Sequence, residues 1–117
     1  MQMRAGMQAS SHSNQLTPDQ VEIAVATFAM LAEPTRIRLL WVLLRGEYSV
    51  SDLAQMTGSA PPAVSQHLAK LRLARLVRHR REGRRILYTT DNAHVQRLLE
   101  ESLHHADHVA QGLPEHE

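Results

Sequence analysis

Five of the chain's eight histidines lie in the last 27 of its 117 residues. Four stand in the run DNAHVQRLLEESLHHADHVAQ, from Asp91 to Gln111, and His116 follows it. On a helix turning about 100° per residue, His94, Glu101, His105 and His108 fall within an arc of roughly 60°. Imidazoles with carboxylates on one face are the ligand set of a divalent transition metal. His105 and His108 are i,i+3 neighbours, so one ion can touch both. His94 stands about 16 Å away along the axis at 1.5 Å per residue, whereas a metal–imidazole bond is about 2 Å long. One straight helix cannot bring all three to an ion. An antiparallel copy of the helix from a twofold-related subunit would set His94 of one chain beside His105 and His108 of the other. The spacing therefore predicts a metal site that exists only in a dimer.

The charge distribution points to a second partner. Between Gln66 and Arg85 there are eight Lys or Arg against the single acid Glu82; from Asp91 to Glu117 there is one Arg against six acids. The first block suits a polyanion and the second a cation. With no Cys, thiolate metal sites, disulfides and cysteine catalysis are excluded. The length fits one domain, whose small core a dimer would help to stabilise. No apolar run approaches the roughly 18 residues of a membrane span, and a cytoplasmic protein is expected.

The elements that must carry these residues read as follows. Residues 1–16 are polar and aperiodic, an expected disordered arm. Thr17-Pro18-Asp19-Gln20 is a helix start with Thr as N-cap, and Val21, Ala24, Val25, Phe28 and Leu31 follow at helical spacing. After Glu33-Pro34 a second helix sets Ile37, Leu40, Trp41 and Leu44 on one face, with Gly46 as its stop. Ser49-Val50-Ser51-Asp52 reads as a capping box opening a short helix to Gly58. Ser59-Ala60-Pro61-Pro62 opens another, with Val64, Leu68, Leu71 and Leu76 as its buried stripe. Two short helices joined by a Gly-containing turn make a helix-turn-helix. The outward positions of the second include Ser65, Gln66, Ala69, Lys70 and Arg72. The period then changes. Residues 76–80 and 85–89 read as strands around the turn Arg81-Glu82-Gly83-Arg84, a basic hairpin placed as a DNA-binding wing. A last helix opens at Thr90 or Asp91, packs through Val95, Leu98, Leu99, Leu103, Ala106 and Val109, and ends before the tail 112–117. The domain is expected over 17–111.

These segments resemble the ArsR/SmtB family of metal-responsive bacterial repressors. The resemblance rests on LAEPTRIRLLWVL, SVSDLAQMTGSAPPAVSQHLAKLRLARLV, RREGRRILY and DNAHVQRLLEESLHHADH, and covers roughly 21–108. It implies a dimeric winged helix-turn-helix, mainly α with a small hairpin, in the order α-α-α-α-β-β-α. Members that bind metal through Cys near the third helix carry it where this chain has Ser51. Members that bind it on the terminal helix use Asp-x-His from one chain and His-x-x-His or His-x-x-Glu from the other. His94 matches the first His, and His105 and His108 match the pair. The Asp falls on Asn92, a departure, since a neutral amide is a poor ligand for a borderline dication; Asp91 stands one residue earlier. The nickel- and cobalt-sensing branch adds ligands near the tail, for which Asp107 and His116 are candidates. Zinc, nickel and cobalt all remain open as the metal.

The expected function is that of a repressor. It would bind double-stranded operator DNA as a homodimer and let go when the metal binds between terminal helices. Ser65 and Gln66 are expected to read base edges. Lys70, Arg72, Arg81, Arg84 and Arg85 are expected to hold phosphates, and His67 is grouped with them as support for the recognition helix. The alternative is a winged-helix regulator with no metal switch. The chain has no Gly-rich phosphate loop and no HExxH, so neither an enzyme nor a small organic substrate is expected.

Overall fold

The computed structural model describes residues 15–112. The elements follow in the order α1 (Pro18–Leu31), α2 (Pro34–Leu43), α3 (Val50–Thr57), α4 (Pro61–Leu73), β1 (Arg78–Glu82), β2 (Arg85–Thr89) and α5 (Ala93–Gly112). This is the α-α-α-α-β-β-α winged helix-turn-helix that the sequence predicts. Most of the arm expected over 1–16 lies outside the described residues, as do 113–117. Gly112, expected to open the tail, is the last residue of α5.

Side chains start the helices. The Thr17 hydroxyl accepts from the Gln20 N–H while the Gln20 side chain accepts from the Thr17 N–H, a complete capping box on α1. Glu33 caps α2 by accepting from the Arg36 N–H at 2.8 Å. Ser49 caps α3 by accepting from the Asp52 N–H at 3.2 Å, but the Asp52 carboxylate does not return the bond. It pairs with Arg85 of β2 instead, so the expected capping box is half formed. Gly58 ends α3 at φ +69°, a conformation that costs other L-residues about 1 kcal/mol. Ala60 caps α4 with no side chain, and Pro61 opens the helix with no N–H to satisfy.

The core lies between α2, α3 and α4. Leu39, Leu40, Leu43, Leu53, Leu68 and Leu71 are wholly buried. The buried face of α2 differs from the expected one: Leu39 and Leu43 are inside with Leu40, while Trp41 lies at the rim under Arg45, whose guanidinium sits 4.3 Å from the ring centroid. The helix also stops at Leu43, with Leu44 as its C-cap, before Gly46. In the hairpin, Arg78 pairs with Thr89 and Glu82 with Arg85. The strand therefore starts two residues later than expected, and the turn shrinks to Gly83-Arg84. Gly83 takes φ +64°, as the first central residue of a tight hairpin turn requires.

Thr90 is buried and donates its hydroxyl to the Leu76 carbonyl at 2.6 Å, tying the end of the hairpin to the segment that follows α4. Asn92 then caps α5. Its side-chain oxygen accepts from the His94 N–H at 2.8 Å and the Val95 N–H at 3.2 Å. Only Val95 and Leu99 of α5 are buried. The apolar stripe of α1 is largely exposed, with Phe28 at 59%. Phe28, Leu31, Ile37, Leu98, Leu99 and Leu103 line an open groove of about 240 Å³ between α1 and α5.

Candidate DNA interface and metal face

The outer face of α4 carries Ser65, Gln66, Ala69, Lys70 and Arg72, all exposed. Val64, Leu68 and Leu71 hold its inner face in the core. His67 lies between the two faces and turns inward: its Nδ1 accepts from the Arg36 Nε at 3.1 Å. Its ring is therefore committed to α2, whereas Ser65 and Gln66 point outward.

Ion pairs sort the basic hairpin into two groups. Arg80 holds Glu47 with two hydrogen bonds of 2.8 and 2.7 Å. The hydrogen bond and charge of Arg80 hold the Glu47 carboxyl below its usual range, and Glu47 keeps the Arg80 guanidinium firmly protonated. Arg78 reaches Asp91 at 3.1 Å, and Arg85 reaches Asp52 at 2.8 Å. These three arginines fasten the wing to the α2–α3 corner, to α3 and to the start of α5. Lys70, Arg72, Arg81 and Arg84 have no acidic partner among the described residues. Arg81 donates only to the Gly83 carbonyl, at 3.4 Å. Arg85 was expected among the phosphate contacts; here it braces the wing.

On α5, His94, Glu101, His105 and His108 are all exposed on one face. An open hollow lies against His94, Arg97, Leu98 and Glu101. Arg97 approaches the His94 Nδ1 at 3.1 Å. An arginine can only donate, so this nitrogen accepts and the neutral ring carries its proton on Nε2. The rings of His105 and His108 have no hydrogen-bond partner among the described residues. Asp91 is held by Arg78, and Asp107 accepts from the Gln111 side chain at 3.2 Å. His116 lies outside the described residues. Among the described residues of one chain, no three His, Cys, Asp or Glu side chains converge as an ion would require.

The comparisons with known proteins agree with this architecture. The arsR family of bacterial regulatory proteins matches residues 33–79, from the α2 cap into the wing. The HTH-type transcriptional regulator KmtR of Mycobacterium tuberculosis is 47% identical over 110 residues, covering 94% of this chain and 85% of the relative. The chain belongs to the ArsR family. A second regulator of that organism, NmtR, is 40% identical over 88 residues, 75% of this chain and 73% of its own. Among solved structures, the AntR antimony-specific transcriptional repressor superposes with a TM-score of 0.76 at 34% identity, covering 90% of this chain and 97% of that one. The protein is thus an ArsR-family, DNA-binding transcriptional regulator of the winged-helix class, not an enzyme.

Two functional features escaped the sequence reading. The sequence assigns Arg36 no role, and nothing local marks its long-range bond to His67. Asn92 was read as a departure from a ligand pattern. An Asn directly before an apolar-periodic helix is also an N-cap signal, and that signal was available.

Proposed function

We propose that the protein is a homodimeric, metal-responsive repressor. Each α4 would enter the major groove of one operator half-site, with Ser65 and Gln66 at the bases and Lys70, Arg72, Arg81 and Arg84 at phosphates. A divalent ion, zinc, nickel or cobalt, would be held by His94 of one chain with His105 and His108 of its partner; Asp107 and His116 are the candidate further ligands. The observation that carries this reading is the α5 face itself. It presents three histidines too far apart to share an ion within one chain, beside an apolar groove and α1 stripe left open to solvent. The donor set fits a borderline dication: exposed imidazoles, two without partners, and nearby carboxylates. When bound, the ion would cross-link α5 to α5. That cross-link favours one dimer shape over others, and coupling to the DNA site is then reciprocal.

Asp91 fits less well, because Arg78 already holds it. That pairing, together with the capping role of Asn92, favours the second reading, a winged-helix regulator whose terminal helix only dimerises. An anisotropy titration of operator DNA separates the two. In the first reading, one of zinc, nickel or cobalt weakens binding by 10-fold or more relative to chelator, about 1.4 kcal/mol of coupling. In the second, all three leave it unchanged.

A further inference from the structure

We propose that the Arg36–His67 hydrogen bond is a positioning device that sets the rotation of α4 about its own axis, so that Gln66 and Ser65 meet base edges. The inference rests on α4 being the helix that reads the operator.

The network joins three elements. The Arg36 N–H is capped by one Glu33 oxygen at 2.8 Å. Its Nη1 donates to the Met30 carbonyl at 3.2 Å in the last turn of α1, and lies 3.3 Å from the Met30 sulfur. Its Nε donates to the His67 Nδ1 at 3.1 Å in the middle of α4. The other Glu33 oxygen lies 3.8 Å from the His67 Nε2, on the far side of the ring. Since Arg36 only donates, the neutral His67 ring is held in one tautomer, with its Nε2 proton on the Glu33 side. One side chain of α4 is thereby held at Nδ1 by the α1–α2 junction, with the Glu33 carboxylate near its other nitrogen.

Position on the helix gives this its meaning. The apolar residues Val64, Leu68 and Leu71 hold α4 against the core, but hydrophobic burial is non-directional. A hydrogen bond adds a directional constraint on the helix rotation. His67 sits at the border between the buried face and the outward face, where a rotation displaces it most along the surface of α2. A turn of about 20° moves a side-chain tip about 5 Å from the axis by roughly 2 Å. That is enough to take Gln66 out of hydrogen-bond reach of a base. Phosphate contacts by Arg81 and Arg84 come from the wing and would not feel it.

The test uses the full-length, metal-free protein and compares operator with unrelated duplex DNA of equal length and salt. Removing the acceptor with His67→Leu is expected to weaken operator binding by roughly 10- to 100-fold, the worth of one charge-assisted hydrogen bond. Binding to unrelated DNA should change less than about 2-fold. His67→Asn places an amide oxygen where Nδ1 stood and should recover most of the lost affinity. Arg36→Met should match His67→Leu, and the double variant should be no worse than either single one. Operator affinity unchanged in a folded His67→Leu protein would overturn the proposal. So would an equal loss on both DNAs, or an Asn variant as weak as Leu. Unfolding of both His67→Leu and Arg36→Met would overturn it as well, because the network would then hold the fold and not an orientation. Gln66→Ala is the control for the underlying reading: if it leaves operator affinity intact, α4 is not the reading helix, and that failure is separate.

Discussion

The division of the wing arginines into braced and free groups makes a quantitative prediction about salt. Each cation that neutralises a phosphate releases counterions, and log K falls with log salt at about 0.9 per phosphate on B-DNA. Lys70, Arg72, Arg81 and Arg84, the residues proposed at phosphates, lack acidic partners among the described residues, so the proposed dimer would bring about eight such contacts to the duplex. The expected slope is about −7, or a loss of about 10⁴ in affinity between 50 and 200 mM salt. Arg84→Ala removes one contact per chain and should bring the slope to about −5. Arg80→Ala removes the same formal charge, but from a guanidinium already held by Glu47 with two hydrogen bonds, and should leave the slope within about 0.5 of the original. The assay is anisotropy on a labelled operator at five or six salt concentrations. If Arg80→Ala lowers the slope as much as Arg84→Ala, the wing is not divided as described and the ion pairs do not withhold arginines from DNA.

Other expectations follow from single contacts. Asn92→Ala leaves the His94 and Val95 N–H groups without their cap and should cost about 1 kcal/mol, read as a lower Tm; Asn92→Asp keeps the cap and adds a carboxylate beside His94, so Tm should hold while metal affinity rises. The Glu47 carboxyl, held low by Arg80, contributes stability that is fully present above its ordinary pKa of 4.5 and is lost as pH falls through the lowered folded value. Glu47→Gln should therefore lower Tm slightly at pH 7 and flatten the acid limb, the two proteins converging as pH falls below the lowered folded value. Phe28→Asp puts a charge on the exposed stripe of α1; if that stripe is the dimer face, sedimentation should show the dissociation constant rising 100-fold or more, about 3 kcal/mol.

Local signals carried far in this chain. Thr17, Ser49 and Gly58 each mark a boundary through a bond or a backbone angle that their own few neighbours decide, and each boundary is where those residues placed it; Gly83 marks the hairpin turn, though the turn is shorter than expected. The stripe Val64, Leu68, Leu71 and Leu76 is buried as its spacing requires. The misses share a different cause. Asp52 looked like half of a capping box, yet Arg85 lies 33 residues away in sequence and beside it in space. His67, grouped with the DNA contacts as support for the recognition helix, has its ring held by Arg36, 31 residues earlier, a partner that no local signal names. The inner face of α2 depends on which side α3 and α4 approach, which periodicity alone does not state when apolar residues such as Leu39, Leu40, Trp41, Leu43 and Leu44 crowd the helix. Ion pairs and tertiary faces are properties of the assembled chain; caps and turns are properties of the segment.

The central claim is that the metal is shared between chains, and mixed dimers test it directly. One chain would carry His94→Ala and the other His105→Ala with His108→Ala, each bearing a different tag so that the mixed dimer can be isolated. Neither homodimer retains a complete site. In the mixed dimer, His94 of one chain meets His105 and His108 of the other in one of the two sites. The account predicts one tightly bound zinc, nickel or cobalt ion per mixed dimer and none in either parent dimer. A mixed dimer that binds no more metal than its parents would contradict it.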